Sequence, residues 1–177
     1  MTTASDTLFP IRTRHGRSSK TGYINSQGDV VIPPAFDDGK PFREGLAAVK
    51  LNAKWGFVNP VGELVIAPQF RSVSNFCEDL AIAIEKEKRG VIDRRGTVVV
   101  PFAYEQIYDF SEGLATVSTK GKFGFIDKIG KLVIPASYDD ARGFSEGFAA
   151  VQTNRAWGYI NHSGEFTIPP KFAVEPF

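Results

Sequence analysis

The sequence has few of the residues that build metal centres and disulfide frameworks. Its 177 residues include one cysteine, Cys77, and two histidines, His15 and His162. One cysteine cannot form an intramolecular disulfide, and a zinc site made of cysteine and histidine needs three or four such side chains. We therefore expect a protein with no metal and no cofactor, folded in a reducing compartment.

Long apolar runs and an excess of one charge are also missing. No apolar segment approaches the roughly 20 residues that a transmembrane helix needs, and residues 1–10 lack the basic and then apolar order of a signal peptide. The formal net charge is +1, which gives no general attraction to nucleic acid or to anionic membranes. These absences predict a cytoplasmic protein that binds neither nucleic acid nor membrane.

Glycine, phenylalanine and proline are abundant instead, with 17, 15 and 11 residues, because the chain repeats itself every 34 residues. The five copies are anchored by Gly22, Gly56, Gly90, Gly124 and Gly158. A second series, in a predicted turn, is Gly28, Gly62, Gly96, Gly130 and Gly164. Five full periods occupy residues 8–177, so we predict a single repeat domain over residues 1–177, with residues 1–7 as a flexible N-terminus.

The second copy shows what one repeat is expected to build. Residues 55–59 are aromatic and β-branched, as in a short strand, and Gly62 supplies the turn to a returning strand at residues 63–66. Pro68 is expected to end that strand, since proline cannot donate to a ladder. After a loop, residues 80–84 form the third strand. The predicted fold is therefore all-β, a tandem array of five 34-residue, three-stranded antiparallel meanders.

Two features bear on how the meanders are arranged. The second strand is apolar at successive positions, which predicts that neighbours cover both faces of each sheet. The middle positions of this strand are Val31, Val65, Val99 and Val133. Residues 11–15 lie in the phase of a third strand, so they could complete the last sheet and close a five-bladed, propeller-like ring. An open β-spiral with a polar first strand fits equally, and the sequence leaves both arrangements open.

The repeat resembles a known family. Segments 54–59, 122–127 and 157–161, with the following glycine, a Val-Ile-Pro segment and a Phe-x-Glu-Gly-Leu-Ala segment, are similar to bacterial WG (KWG) repeats over nearly the whole chain. Two copies depart from this pattern, with Thr21 and Arg89 in place of tryptophan. The resemblance implies a β-rich repeat array from a bacterium that serves as an interaction scaffold without catalytic residues.

No motif assembles a catalytic set. Residues 143–147 read Gly-Phe-Ser-Glu-Gly, which matches the nucleophile elbow G-x-S-x-G, but Arg43 takes the place of the serine in another copy and no helix is expected to follow. The acid pairs at 37–38 and 139–140 are expected to form turns rather than to bind calcium, because no oxygen-rich loop accompanies them. We therefore predict that the protein is not an enzyme.

One charge pattern stands out at the tips that join each third strand to the first strand of the next copy. These tips are residues 16–20, 50–54, 84–88, 118–122 and 152–156. They hold nine of the 21 basic residues against two acidic ones, and in any regular stacking they lie on one rim. The partner-binding residues predicted for this basic rim are Lys20, Lys54, Lys88, Lys122 and Arg155. The alternative is that lysines at strand tips only keep the sheet edges solvated.

These patterns favour a non-enzymatic repeat scaffold that binds another protein, one with an acidic surface. An immunity-type antitoxin or an adaptor is the role that we expect of such a small array. The main alternative is a ligand-binding module for a glycan or an anionic small molecule, which would need exposed aromatic side chains. Trp55 and Trp157 recur with Phe123 at one position of the repeat, which favours a place in the core.

Overall fold

The computed structural model describes residues 7–15 and 18–173 of the chain. All the regular secondary structure in this part consists of β-strands, so the predicted all-β class is confirmed. Among the described residues, no helix is long and apolar enough to cross a membrane. The predicted flexible N-terminus, residues 1–7, lies outside the described part except for Thr7.

The strands form five antiparallel sheets, one for each copy of the repeat. The first sheet contains β1 Phe9–His15, β2 Ser18–Ile24 and β3 Val30–Phe36. The second contains β4 Asp38–Gly39, β5 Ala47–Leu51, β6 Lys54–Val58 and β7 Leu64–Phe70. The third contains β8 Ser72–Val73, β9 Leu80–Glu85, β10 Lys88–Asp93 and β11 Val98–Tyr104. The fourth contains β12 Gln106–Ile107, β13 Leu114–Thr119, β14 Lys122–Asp127 and β15 Leu132–Tyr138. The fifth contains β16 Asp140–Ala141, β17 Ala149–Thr153, β18 Ala156–Ile160 and β19 Phe166–Phe172.

Each sheet combines strands from two successive copies. The third strand of one copy forms a hairpin with the first strand of the next, so that Ala47 of β5 pairs with Val58 of β6. The second strand, such as β7, then lies at the edge of the sheet. A two-residue strand such as β8 begins the next sheet at its opposite edge. These short strands were not predicted, because two residues are too few to show a strand period.

The repeated glycine of each first strand is required by a bulge in the second strand. The pairing of β6 with β7 shifts register around Gly56. A Cβ atom on Gly56 would lie 2.3 Å from the carbonyl oxygen of Ile66 and 2.7 Å from the nitrogen of Pro68. The strand continues through Pro68 to Phe70, so the prediction that Pro68 ends it is wrong. Proline is tolerated here because the bulge and the edge position need no ladder donor.

The hydrophobic core lies between successive sheets. In the cluster between the second and third sheets, Phe57 and Ile66 of one sheet meet Phe76 and Ile92 of the next. Comparable clusters lie at the other three junctions. The rings of Phe57 and Phe76 are 4.7 Å apart in an edge-to-face arrangement. The turn glycine of each sheet also reaches the sheet before it, since a Cβ on Gly96 would lie 3.0 Å from the Ile66 side chain. Each sheet therefore covers its predecessor, as in other repeat arrays.

The arrangement is open, so of the two alternatives that the sequence left, the structure shows the open array and not the ring in which residues 11–15 complete the last sheet. Strand β1 forms a hairpin with β2, and Phe9 pairs with Ile24. Among the described strands, no pairing joins the first sheet to the last. A hairpin with the adjacent strand closes only a short loop, whereas pairing with β19 would close a loop of nearly the whole chain, at a higher entropic cost.

The second strands are not covered on both faces, contrary to the prediction. Their middle valines Val31, Val65 and Val133 are 40 %, 42 % and 40 % exposed. The isoleucines that follow them in sequence, Ile32, Ile66 and Ile134, are buried. One set of side chains on these strands therefore packs on the next sheet, and the other set faces solvent.

Candidate partner-binding surfaces

The structure places the five residues predicted for the basic rim on the hairpins that join third to first strands. Lys54, Lys88 and Lys122 are the first residues of β6, β10 and β14. Lys20 lies within β2, and Arg155 lies in the turn just before β18. The tip of the first hairpin, residues 16–17, lies outside the described part of the chain.

Two of these cations are held by carboxylates. Lys20 Nζ lies 2.6 Å from Oδ1 of Asp37, and Lys122 Nζ lies 2.5 Å from Oδ1 of Asp139. The second oxygen of Asp139 accepts a 2.8 Å hydrogen bond from the amide of Asn154 in the next tip, and Asp37 binds its next tip in the same way. The lysine contact and the amide bond hold the pKa of both aspartates below the ordinary value. These acids therefore tie neighbouring tips together and neutralise two of the five predicted cations.

The other three cations remain on the surface. Lys54, Lys88 and Arg155 have exposed side chains, and within the described residues none of them forms a salt bridge. Glu87, in the same tip as Lys88, is paired with Arg71. We call Lys54, Lys88 and Arg155 the basic tips.

The opposite end of each sheet exposes apolar side chains. As the second strands leave their turns, their first two positions face solvent from sheet to sheet, except that Val99 of the third sheet is half-buried. We call this surface the apolar edge, formed by Val30, Val31, Leu64, Val65, Val98, Leu132, Val133 and Phe166. Sequence reasoning missed it because apolar strand residues were assigned to the core. The available signal was that two adjacent strand residues cannot both face the same neighbouring sheet.

The recurrent glutamates of the Phe-x-Glu turns join one copy to the next. The carboxylate of Glu44 accepts hydrogen bonds of 2.8 and 3.0 Å from the amides of Glu78 and Asp79. Glu78 and Glu112 bind the following turn in the same way, at 3.2 and 3.1 Å. Arg94 adds a cation 3.8 Å from the Glu44 carboxylate. These glutamates therefore hold the repeat contacts together.

In earlier copies of the repeat, the residue equivalent to Ser145 of the Gly-Phe-Ser-Glu-Gly segment contacts the following copy. One copy earlier, Ser111 Oγ donates to the carbonyl of Phe144 at 2.7 Å, and Cys77 Sγ contacts the carbonyl of Phe110 at 3.4 Å. In the described chain no helix follows Ser145, so the strand–turn–helix context of a nucleophile elbow is missing. Burial, followed by nearby carboxylates, raises the pKa of the Cys77 thiol, which lowers its thiolate fraction.

The tryptophans are not open stacking platforms. Trp157 is buried, with the guanidinium of Arg142 5.1 Å from its ring centre. Trp55 is half-buried, and Lys40 Nζ lies 5.4 Å from its ring centre. Lys40 also donates to the carbonyl of Val73 at 2.7 Å, and burial lowers the pKa of this lysine. Lys40 thus joins its ring to the next sheet, whereas Arg142 and Trp157 both lie in the fifth sheet.

Two further observations concern small ligands. In the part of the chain that the structure describes, no three His, Cys, Asp or Glu side chains come together in a way that could hold a metal ion. A cavity of about 630 Å³ lies against the last sheet, with Phe148, Tyr159 and Ile168 in its wall.

Comparison with known proteins identifies the repeat. The family described as WG containing repeat matches residues 22–55, 55–88, 90–123, 123–155 and 157–173. These five matches extend across nearly all of the chain after β1. No curated protein matches the chain.

Three solved structures align with this chain. A crystal structure of a eukaryotic initiation factor is 13 % identical, with a TM-score of 0.62, over 98 % of this chain and 54 % of that one. This chain thus spans about half the length of that protein, and the likeness shows a shared fold. A protein of unknown function from Bacteroides caccae aligns at 13 % identity and a TM-score of 0.37, over 91 % and 72 % of the two chains. A plant lectin with two metal binding sites from Cicer arietinum aligns at 10 % identity and a TM-score of 0.31, over 78 % and 88 %.

Proposed function

Since the chain belongs to the family of WG-containing repeat proteins, we propose that it is a non-enzymatic scaffold that binds another protein. We place this role in the bacterial cytoplasm, with an adaptor or an immunity-type antitoxin as the kind of protein it would be. The observation that carries the proposal is the apolar edge, because repeated exposed apolar side chains are typical of protein interaction sites.

The apolar edge supports protein binding in energetic terms. Leu64 and Leu132 are 48 % and 45 % exposed, so each still has about half of its side chain to bury against a partner. Covering that surface would contribute about 1 kcal/mol for each such residue, before the cost of association. A small ligand would cover one or two of these positions, whereas a protein surface would cover several.

The basic tips give this scaffold a preference for an acidic partner. Their charges are exposed, so salt screens them beyond about 8 Å at physiological ionic strength. Exposed charges of this kind act mainly on the rate of association and only weakly on the lifetime of the complex. We therefore expect the apolar edge to set affinity and the basic tips to set the association rate.

The test captures partners from an extract of the native host with the tagged chain as bait. An edge variant carries Leu64→Gln and Leu132→Gln, and a tip variant carries Lys54→Glu, Lys88→Glu and Arg155→Glu. We expect a protein that binds the unchanged chain to be lost from the edge variant. With the purified partner, the tip variant should associate about tenfold more slowly at low salt.

The matched controls change exposed or variable positions outside both surfaces. Val61→Gln alters an exposed apolar turn residue beyond the apolar edge and should leave capture unchanged. Ser145→Ala and Cys77→Ser should also leave it unchanged, and loss of biological activity in either folded variant would argue against a non-enzymatic role. A partner that binds the edge and tip variants as well as the unchanged chain would refute the proposed binding surfaces.

A further inference from the structure

The contacts between successive sheets have two halves, and their apolar part recurs at all four junctions while their polar part recurs at the last three. The earlier sheet supplies a buried isoleucine or valine and a turn glutamate, such as Ile66 and Glu44 of the second sheet. The later sheet supplies a turn glycine, such as Gly96 against Ile66, and a basic residue two positions before that glycine, such as Arg94 beside Glu44. Lys128 Nζ lies 3.0 Å from the Glu78 carboxylate. We call the first set the receiving half and the second set the inserting half.

The last sheet presents a receiving half that no described element covers. Ile168 is 37 % exposed, although Ile66 at the same repeat position is 2 % exposed. Phe172 is likewise exposed where Phe70 is buried. Glu146 repeats the position of Glu78, yet it accepts no hydrogen bond from the described part of the chain. Ile168 and Glu146 both line the cavity of about 630 Å³.

The first sheet presents an inserting half that is equally uncovered. A Cβ on Gly28 would have no atom within 4 Å, whereas the same atom on Gly62 would lie 3.4 Å from Ile32. Phe9 is 48 % exposed, although its pairing with Ile24 corresponds to that of buried Ala47 with Val58. The turn before Gly28 places Ser26, an exposed hydroxyl donor, where Arg94, Lys128 and His162 stand in the third, fourth and fifth copies.

We propose that the two ends of the array are complementary and that a second copy of this chain binds head to tail, with the first sheet of one copy on the last sheet of another. Each end lacks the half that the other supplies: Ile168 lacks a turn glycine and Gly28 lacks an isoleucine. Among the described residues no core cluster joins the first sheet to the last, and Phe9, Ile168 and Phe172 of the two end faces are exposed. This association is separate from the partner binding proposed above, since it uses the end faces rather than the apolar edge.

Such a contact joins two different surfaces, so the kind of assembly that forms depends on the rotation that relates one copy to the next. The contact yields a closed ring if the rotation returns to its start, and an open filament if it does not. The side chains that become covered are apolar at the centre, Ile168 and Phe172 against Phe9. Glu146 and Ser26 at the margin form a hydrogen bond in place of the ion pairs seen inside the array.

The first test measures association of the full chain by sedimentation velocity over a wide concentration range. We expect the mean mass to rise above that of the monomer as concentration increases. Ile168→Glu should raise the dissociation constant at least about tenfold, because a buried unpaired carboxylate costs more than the 1.4 kcal/mol that this factor represents. Val61→Glu, at a more exposed apolar position away from the ends, should leave the association unchanged.

The second test exchanges the polar pair across the contact. Glu146→Arg alone and Ser26→Glu alone should each weaken self-association, while an equimolar mixture should restore it by pairing an arginine on one copy with a glutamate on the other. Circular dichroism confirms that each variant is folded. A chain that stays monomeric at all concentrations, an Ile168→Glu variant that associates normally, or a mixture that restores nothing would overturn the proposal.

Discussion

Replacing Gly56 with alanine tests how the sheets are built. The new Cβ would lie 2.3 Å from the oxygen of Ile66, 2.7 Å from the nitrogen of Pro68 and 2.8 Å from the carbonyl carbon of Ala67. All three atoms belong to the backbone, so no side-chain rotation relieves the clash. The bulge of β7 has to move, and it is anchored by Ile66, which is 2 % exposed. Overpacking of this kind typically costs 1–3 kcal/mol, and because the obstacle is backbone we expect about 3 kcal/mol.

The assay is thermal unfolding followed by circular dichroism at low protein concentration. For a chain of this size each kcal/mol lowers Tm by about 2–4 °C, so Gly56→Ala should lower it by about 6–12 °C. The matched control is Gly143→Ala, where the new Cβ would meet no atom within 4 Å and φ is not positive. That variant should unfold near the unchanged chain or slightly above it, since alanine reduces the entropy of the unfolded state by about 0.4–1 kcal/mol.

The result that would refute this reasoning is a Gly56→Ala protein with a Tm within about 2 °C of the unchanged chain. It would mean that the bulge moves freely and that the glycine series has another cause. An equal loss in Gly143→Ala would also contradict it, because then any glycine replacement would destabilise the fold regardless of local contact.

Three further predictions follow from burial and charge. Ile66→Ala should lower the free energy of unfolding in urea by about 2–5 kcal/mol, whereas Ile168→Ala at the same repeat position should cost about 1 kcal/mol or less; equal effects would contradict the open end. The hydrogen bonds from Lys122 and from the next tip lower the pKa of Asp139 below its ordinary value of 3.8. The stability that these bonds contribute to the fold is present above pH 3.8 and is lost as the pH falls through the lower pKa of the folded state. Between about pH 5 and pH 2, the free energy of unfolding in urea should therefore fall less for the Asp139→Asn variant than for the unchanged chain. Cys77 should react with iodoacetamide more slowly than free cysteine at pH 8, because burial raises the pKa of its thiol, and urea should abolish the difference. Equal rates before and after unfolding would contradict that assignment.

Features set by local chemistry were predictable from the sequence. The spacing of Gly56 and Gly62 located a strand and the turn after it, because a turn that needs positive φ and a strand that needs β-branched residues are specified within a few positions. The repeat identity followed from the same spacing in five copies. The hairpin tips were also placed correctly on the link between third and first strands, because Lys54 follows the end of one strand and begins another.

Features that depend on which strands become neighbours were decided only by the tertiary structure. The sequence showed that Val65 and Ile66 are both apolar, but only the packing of the third sheet on β7 buries Ile66 and leaves Val65 exposed. Lys20 and Lys54 look alike in the sequence, yet Asp37 neutralises Lys20 and leaves Lys54 exposed. The common physical reason is that strand periodicity is local, whereas burial and ion pairing depend on contacts between residues far apart in the chain. A contact between the two ends of the array would join the residues that are farthest apart in the chain. The strand patterns within one repeat carry no information about such a contact.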